Sequence, residues 1–196
     1  DFWADASLSR KIGTGSLRRR LQLAALYPQW EFDEIRGNVD TRLKKLDAGE
    51  YDGILLAAAG MNRLGIATHP AQELDSAKML PAPGQGCVVV EARSDRAGLL
   101  TLFHQLNDPP TEVAVKTERQ FLSAMEGGCK TPIGTLATVN DGRVQLEVWV
   151  GDPESGRSIR GQAASDIAGS AQMAVALADT MRQRAAAEKI NYIAYR

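Results

Sequence analysis

The sequence has few of the residues on which disulfide-rich and metal-binding proteins depend. It contains two cysteines and two histidines among 196 residues. Two cysteines do not make a disulfide framework, so a reducing compartment is the expected environment. The histidines, His69 and His104, show no metal-ligand spacing with Cys87 or Cys129, and we assign them no role.

Long apolar runs are also absent. The longest uncharged apolar stretch, residues 54–61, is far too short to span a bilayer. Apolar residues make up 44% of the chain and charged residues 24%, an ordinary composition for a globular protein that argues against disorder. The chain opens with Asp1 rather than Met, which we interpret either as a cut in a longer protein or as a start that lies elsewhere.

The net charge is only −1, but the charges are unevenly distributed. Nine basic and four acidic residues lie between Arg10 and Lys45. A solvated face is the ordinary interpretation of such a cluster. The other interpretation is an anion-binding site, and the positions of the arginines decide between the two.

Hydrophobic spacing predicts a β-α-β-α-β order in the first part of the chain. Strands are predicted over residues 11–14, 30–35 and 53–59, and helices over residues 16–27 and from Asn38 to about Gly49. Strands that alternate with helices indicate an open, doubly wound parallel sheet, an arrangement that resembles one lobe of a periplasmic binding protein.

The second part of the chain has a different pattern. A Pro- and Gly-rich segment, residues 81–86, is followed by a predicted strand over residues 87–93. Next come a helix over residues 112–125, two strands over 133–139 and 144–150, a turn over 152–156, a third strand over 157–162 and a helix over 170–189. The turn sequence Asn140-Asp141-Gly142 indicates a hairpin. Helices beside a three-stranded antiparallel sheet make a small α+β domain.

The start of the first predicted helix has the properties of an anion site. A Gly-rich turn there offers free backbone N–H groups, although the Gly-Lys-Ser/Thr ending of a phosphate loop is missing. Arg18, Arg19 and Arg20 stand where the helix dipole is already positive, which is unfavourable without a bound anion. The alternative is that these arginines simply point into solvent.

Further arginines follow the other predicted strands. Arg36 ends the second strand, Arg42 lies one turn into the second helix, and Arg63 follows the third strand. Because ligands of open α/β sheets bind at the carboxyl ends of the strands, we expect these side chains to converge there with Arg18 and Arg19. Arginine matches carboxylates with two parallel hydrogen bonds. The pattern therefore predicts a cleft for a small molecule that carries several carboxylates.

Cys129 lies between Gly127-Gly128 and Lys130. The glycines allow a positive φ that exposes a side chain, and the nearby lysine favours a thiolate. A free cysteine is also often a small buried residue, and residue type alone leaves both interpretations equally open. Cys87 lies in a β-rich apolar run, and we interpret it as a packing residue.

Five motifs, in order, resemble the hydroxymethylbilane synthase (porphobilinogen deaminase) family. They are GTGSLRR at 13–19, RGN at 36–38 with TRL at 41–43, GMNRLG at 60–65, PGQG at 83–86 with EAR at 91–93, and EGGC at 126–129 with PIG at 132–134. The resemblance covers roughly residues 12–160, and the family usually has Ser at Gly15 and Ala at Cys87. It implies a cytoplasmic transferase of haem and tetrapyrrole biosynthesis that joins four porphobilinogens into hydroxymethylbilane and releases ammonia.

The resemblance also implies a covalent dipyrromethane cofactor, held through a thioether by Cys129. Matching positions imply that Arg63 faces the incoming porphobilinogen. The residues implied to hold carboxylates of the cofactor and of the growing polypyrrole chain are Thr14, Ser16, Arg18, Arg19, Arg36 and Arg42. Neither nucleic acid nor a membrane is an expected partner.

The family's three-domain layout implies a middle α/β domain over residues 1–81. Residues 82–104 return to a first domain that is missing here, and residues 105–196 form the α+β domain with the cysteine. The family's catalytic aspartate belongs to that missing N-terminal segment, so we assign no catalytic residue and expect the chain alone to be inactive. The rival interpretation is a non-catalytic carboxylate-binding module of periplasmic-binding-protein type, which leaves Cys129 unexplained.

Overall fold

The computed structural model of the chain describes residues 8–66, 69–128 and 130–193. They form a mixed α/β structure with two three-stranded sheets, which confirms the predicted class. The first sheet is parallel and has the order β2-β1-β3, with β1 at Lys11–Gly13, β2 at Glu31–Asp33 and β3 at Gly53–Ile54. The helices that follow these strands are α1 (Leu17–Leu26), α2 (Val39–Asp47) and α3 (Ala58–Arg63).

The prediction of a strand over residues 53–59 is wrong beyond its first two residues. Strand β3 ends at Ile54, and Ala58 and Ala59 already belong to α3. Alanine has the highest intrinsic helix propensity, so the run of three alanines favours a helix once the strand leaves the sheet. The other elements of this unit form in the predicted order, with shorter strands than expected.

The first unit has a small apolar core. Ile12, Leu23, Trp30 and Leu55 are buried together between the sheet and α1. The Trp30 ring stacks on Tyr27, with centroids 4.2 Å apart, at the turn that follows α1. This core fixes the carboxyl ends of β1 and β3 relative to the start of α1.

The strand predicted over residues 87–93 does not form. Val88, Val89 and Val90 are 91%, 76% and 52% exposed and belong to no sheet. A strand needs a partner for its backbone N–H and C=O groups, and no described segment of the chain pairs with this one. The helix that follows, α4 (Ala97–His104), likewise leaves Leu99 and Leu102 exposed.

The second unit matches its prediction closely. Helix α5 (Pro109–Ala124) precedes the antiparallel sheet β4-β5-β6, and α6 (Ser170–Ala187) follows it. The strands are β4 at Ile133–Asn140, β5 at Arg143–Gly151 and β6 at Ser158–Asp166. Asp141 and Gly142 both have positive φ, 49° and 74°, as the predicted two-residue hairpin turn requires. Both helices pack on one face of the sheet, around Phe121, Met125, Leu146 and Met181.

Leu80 joins the two units. It is 1% exposed and packs with Leu21 of α1 and Trp149 of β5. A Cβ atom at Gly134 of β4 would lie 2.9 Å from the Leu80 Cβ, so the close approach of β4 depends on glycine at this position. The outer face of the second sheet therefore supports the helix that carries the predicted anion site.

Two features are absent from the part of the chain that the structure describes. Its helices include none that is long and apolar enough to cross a membrane. Among the same residues, His, Cys, Asp and Glu form no group of three or more that would hold a metal ion.

Candidate functional site

The site lies at the carboxyl ends of the parallel strands, where α1 and α2 begin. Thr14 directly follows β1 and is buried, and its N–H donates to the Asp33 carbonyl at 2.9 Å. The Thr14 hydroxyl accepts the Ser16 N–H at 3.2 Å, and the Ser16 hydroxyl accepts the Arg19 N–H at 3.4 Å as the cap of α1. Each hydroxyl acts as an acceptor in these bonds, which leaves its own O–H able to donate to a ligand.

The second helix begins in the same way. Asn38 caps α2 by accepting the N–H of Thr41 at 2.9 Å. Gly37 precedes it with a φ of 114°, and a Cβ atom there would lie 2.8 Å from Thr41. This glycine is required both by its backbone and by the space beside Thr41. Two helix N-termini, each positive, thus face the same edge of the sheet.

Arg18 lies inside the structure. Its side chain is buried, Nη1 donates to the Leu80 carbonyl, and Nη2 donates to Gln85 Oε1 at 3.1 Å. Burial, and then the charge of Arg19, lower the pKa of Arg18 to about 10. Two of its five N–H groups therefore hold the segment between the units.

Arg19 and Arg42 are each held near a strand end by a backbone carbonyl. Arg19 is half-buried, and its Nη1 lies 3.4 Å from the Leu55 carbonyl. Arg42 Nε donates to the Gly37 carbonyl at 2.8 Å. Burial lowers the pKa of Arg19, and the charge of Arg42 lowers it further. The charge of Arg42 therefore acts on Arg19, and an anion bound near both would be stabilised.

Arg36 is at the surface and is paired. Its Nε lies 2.9 Å from Glu34 Oε1 and its Nη2 lies 3.2 Å from Glu34 Oε2. The side chain is 82% exposed. Arg20 is also exposed, and its charge contributes to the lowered pKa of Glu34, after the larger effect of Arg36.

Arg63 stands apart from these arginines. It is exposed at the end of α3 and makes no hydrogen bond or ion pair with a described residue. No contact among the residues that the structure describes joins it to the site. Its predicted role toward porphobilinogen stays a prediction.

Cys129 lies outside the described residues, but the chain on both sides of it is described. The Gly128 N–H donates to the Thr131 hydroxyl at 2.8 Å, and the Thr131 N–H donates to the Gly128 carbonyl at 3.0 Å. The glycines allow a positive φ, but neither Gly127 nor Gly128 adopts one, and the positive φ in this loop, 54°, belongs to Glu126. Gly127 is needed for space instead, since a Cβ there would lie 2.7 Å from Leu122. Cys87 is half-buried in the unpaired segment.

Sequence reasoning missed a buried carboxylate beside the site. Glu118 of α5 is 6% exposed and accepts the N–H groups of Gly84 at 2.6 Å and Ala137 at 2.8 Å. Burial raises the pKa of Glu118, although the two N–H bonds oppose this. Helical spacing could have predicted this burial. Glu118 lies three residues before Phe121 and seven before Met125, both buried, and therefore on the apolar side of the helix.

Gln22 is a second residue that sequence reasoning missed. Its amide donates to the Leu80 carbonyl at 3.0 Å and accepts the Leu80 N–H at 2.9 Å. Arg18 and Gln22 are four residues apart on one face of α1, and both bind the same carbonyl. Glu118 holds the same segment from the second unit through Gly84.

Both units of the chain match models of known protein families. A family model described as porphobilinogen deaminase, dipyromethane cofactor binding domain, matches residues 3–101, and one described as porphobilinogen deaminase, C-terminal domain, matches residues 113–183. The porphobilinogen deaminase of Thiobacillus denitrificans is 42% identical over 170 residues, which are 87% of this chain and 56% of that protein.

Two further relatives with the same name show similar coverage. The Chromobacterium violaceum protein is 47% identical over 143 residues, 73% of this chain and 46% of that protein. The Nostoc sp. protein is 38% identical over 182 residues, 93% of this chain and 56% of that protein. The chain spans about half the length of the curated relatives it matches.

Proposed function

Because the chain belongs to the porphobilinogen deaminase family, we propose that it is the part of a hydroxymethylbilane synthase that holds the cofactor and the growing chain by their carboxylates. The observation that carries the proposal is that the starts of α1 and α2, which bring Arg18, Arg19 and Arg42, follow the carboxyl ends of neighbouring parallel strands. The whole protein is then a transferase of haem and tetrapyrrole biosynthesis. It joins four porphobilinogens head to tail and releases ammonia at each step.

The residues at the sheet edge fit a ligand with several carboxylates. Porphobilinogen and the pyrroles made from it carry acetate and propionate side chains. Arg19, Arg36 and Arg42 supply guanidinium groups, and Arg18 supplies the N–H groups that Leu80 and Gln85 leave free. The Glu34 carboxylate in the fork of Arg36 supports this fit, since a ligand carboxylate would have the same geometry there.

The remaining site residues orient the ligand. The hydroxyls of Thr14 and Ser16 donate to carboxylate oxygens next to the start of α1, where the helix dipole adds to the attraction. Arg63 faces the incoming substrate, and its exposed guanidinium is free of other described side chains. Neutralised carboxylates let neighbouring pyrroles lie close to one another without charge repulsion.

Cys129 is the proposed attachment point of the dipyrromethane, through a thioether. When bound, the dipyrromethane supplies the free pyrrole α-carbon from which the chain grows. The loop around Cys129 is fixed by Thr131 on one side and by the packing of Gly127 against Leu122 on the other. A cysteine that must stay free for such a bond is consistent with a reducing compartment, and we propose the cytoplasm.

We also propose that residues 82–104 pair with another part of the whole protein. The exposed Val88, Val89 and Val90 support this, because three consecutive valines with unpaired backbone are an unfavourable surface. The parallel order β2-β1-β3 supports the proposal that the first unit is one lobe of a periplasmic-binding-protein-like domain. A purely carboxylate-binding module is not favoured, because the family relationship includes the second unit with Cys129.

Peptide mass spectrometry tests the attachment site. In a preparation of the whole protein that consumes porphobilinogen, we expect the Cys129 peptide to carry the mass of a dipyrromethane and the Cys87 peptide to be unmodified. A Cys129→Ser variant should lack the adduct and the activity, whereas Cys87→Ser should keep both. An unmodified Cys129 in active protein, or an adduct on Cys87, would contradict the proposal.

A further inference from the structure

The Glu34 carboxylate binds Arg36 as a ligand carboxylate would. Both oxygens are used: Oε1 accepts from Nε at 2.9 Å and Oε2 accepts from Nη2 at 3.2 Å. This is the two-pronged arrangement that makes arginine selective for carboxylates. A carboxylate from a ligand and the carboxylate of Glu34 cannot occupy that fork at the same time.

The backbone holds this pair in position. Glu34 and Arg36 are two residues apart in the segment that follows β2, and the two hydrogen bonds between them show that their side chains lie on the same side. Ile35, between them, is 0% exposed and anchors the segment in the core. The Tyr51 hydroxyl donates to the Glu34 carbonyl at 3.2 Å. The placement of the pair is therefore a consequence of the fold and not only of two flexible side chains.

The pair is open to a ligand. The side chains of Arg36 and Glu34 are 82% and 60% exposed, so a carboxylate from solution reaches the fork without any movement of the backbone. An exposed ion pair of this kind is weak, and a second anion displaces it at a small cost. The displaced Glu34 then leaves a negative charge beside the bound ligand.

We propose that Glu34 is an internal competitor for the carboxylate fork of Arg36 and thereby sets the affinity of this end of the cleft for anionic ligands. The inference rests on the proposed function, since it requires Arg36 to bind carboxylates. It adds a specificity-determining residue that carries the opposite charge to the rest of the site. Ligands able to bridge Arg36 and a second arginine overcome the competition more easily than single carboxylates do.

Titration with succinate, a plain dicarboxylate, tests the inference without any turnover. Binding to the 196-residue chain is followed by NMR through the backbone N–H resonance of Gly37, which lies next to Arg36 and is present in every variant. The titration is done in about 0.1 M salt, where charges more than about 10 Å apart are largely screened. Glu34→Gln should tighten succinate binding roughly twofold to fivefold, the range that an exposed ion pair supports. Asp40→Asn is the matched control, because Asp40 lies at the start of α2 and forms no ion pair with a described residue.

The outcomes separate the inference from the proposed function. Weaker binding in Arg36→Leu, together with tighter binding in Glu34→Gln alone, supports both. Weaker binding in Arg36→Leu with no gain in Glu34→Gln, or with an equal gain in Asp40→Asn, overturns the inference and leaves the proposed function standing. Binding to Arg36→Leu that matches the unaltered chain overturns the carboxylate role of Arg36 and the inference with it.

Discussion

The two units of the molecule hold their backbone in place by different means. The second unit has strands of eight and nine residues and a continuous apolar core that extends from Phe121 to Tyr192. The first unit has strands of two and three residues and a small core around Ile12 and Trp30. Its site-bearing helix depends in addition on the second unit, through Leu80. The proposed ligand-binding groups thus lie on the less extensively packed unit and are supported by the better-packed one.

Of the variants considered, Phe121→Ala should have the largest effect on stability, because it removes a side chain from the core of the better-packed second unit. The side chain is 0% exposed in the core of the second unit, and Phe121→Ala should lower the free energy of unfolding by about 3–5 kcal/mol. Chemical denaturation followed by circular dichroism measures the change. Gln120→Ala, an exposed position on the same helix, is the control and should stay within about 0.5 kcal/mol. A small loss from Phe121→Ala would mean that the second unit does not depend on its core.

The buried Glu118 should produce a smaller effect that depends on pH. Its pKa is raised above the ordinary value of 4.5, so the folded chain binds this proton more tightly than the unfolded chain. The stability contributed by Glu118 is therefore complete below pH 4.5 and is lost as the pH rises through the raised pKa. Relative to Glu118→Gln, the unaltered chain should lose up to about 1.4 kcal/mol per pH unit within that window.

Glu112, on the same helix, should contribute stability that changes with pH in the opposite direction to that of Glu118. Lys116 and Asn107 lower its pKa through hydrogen bonds, so its contribution is present above the ordinary glutamate pKa and is lost as the pH falls. The stability difference between the unaltered chain and Glu112→Gln should therefore grow with rising pH. If both variants change stability in the same direction with pH, the burial of Glu118 does not control its ionisation.

The second unit was the more predictable from sequence. Its hairpin has a turn sequence that fixes the register. The helix predicted over residues 170–189 forms as α6, and its Ala174, Met181 and Ala185 are buried. Such local patterns are sufficient when an element packs against its sequence neighbours. The strand predicted over residues 87–93 failed for the opposite reason, since an apolar run cannot form a strand without a partner.

The sequence predicts which residues lie near the candidate site, but not the long-range hydrogen bonds that hold them there. The strand order places Thr14, Ser16, Arg19, Arg36 and Arg42 after the carboxyl ends of the parallel strands, as the predicted β-α-β-α-β order implies, and their role toward a ligand stays a prediction. Helical periodicity alone did not reveal that Arg18 and Gln22 bind a carbonyl 62 and 58 residues further along the chain. Pairings over that distance depend on how the two units pack, which no local pattern encodes.

We propose that the arginines at the sheet edge bind the carboxylates of the substrate and the growing chain. Turnover of porphobilinogen by the whole protein, measured side by side for Arg36→Leu, Arg42→Leu and Arg20→Leu, tests it most directly. Loss of one charged hydrogen-bonding group should cost about 1.5–3 kcal/mol, so the first two variants should lose roughly tenfold to a hundredfold in turnover or cofactor content. Arg20→Leu, an exposed arginine outside the motif, should retain near-normal values. Damage from Arg20→Leu equal to that from Arg36→Leu, in protein that folds normally, would contradict the account.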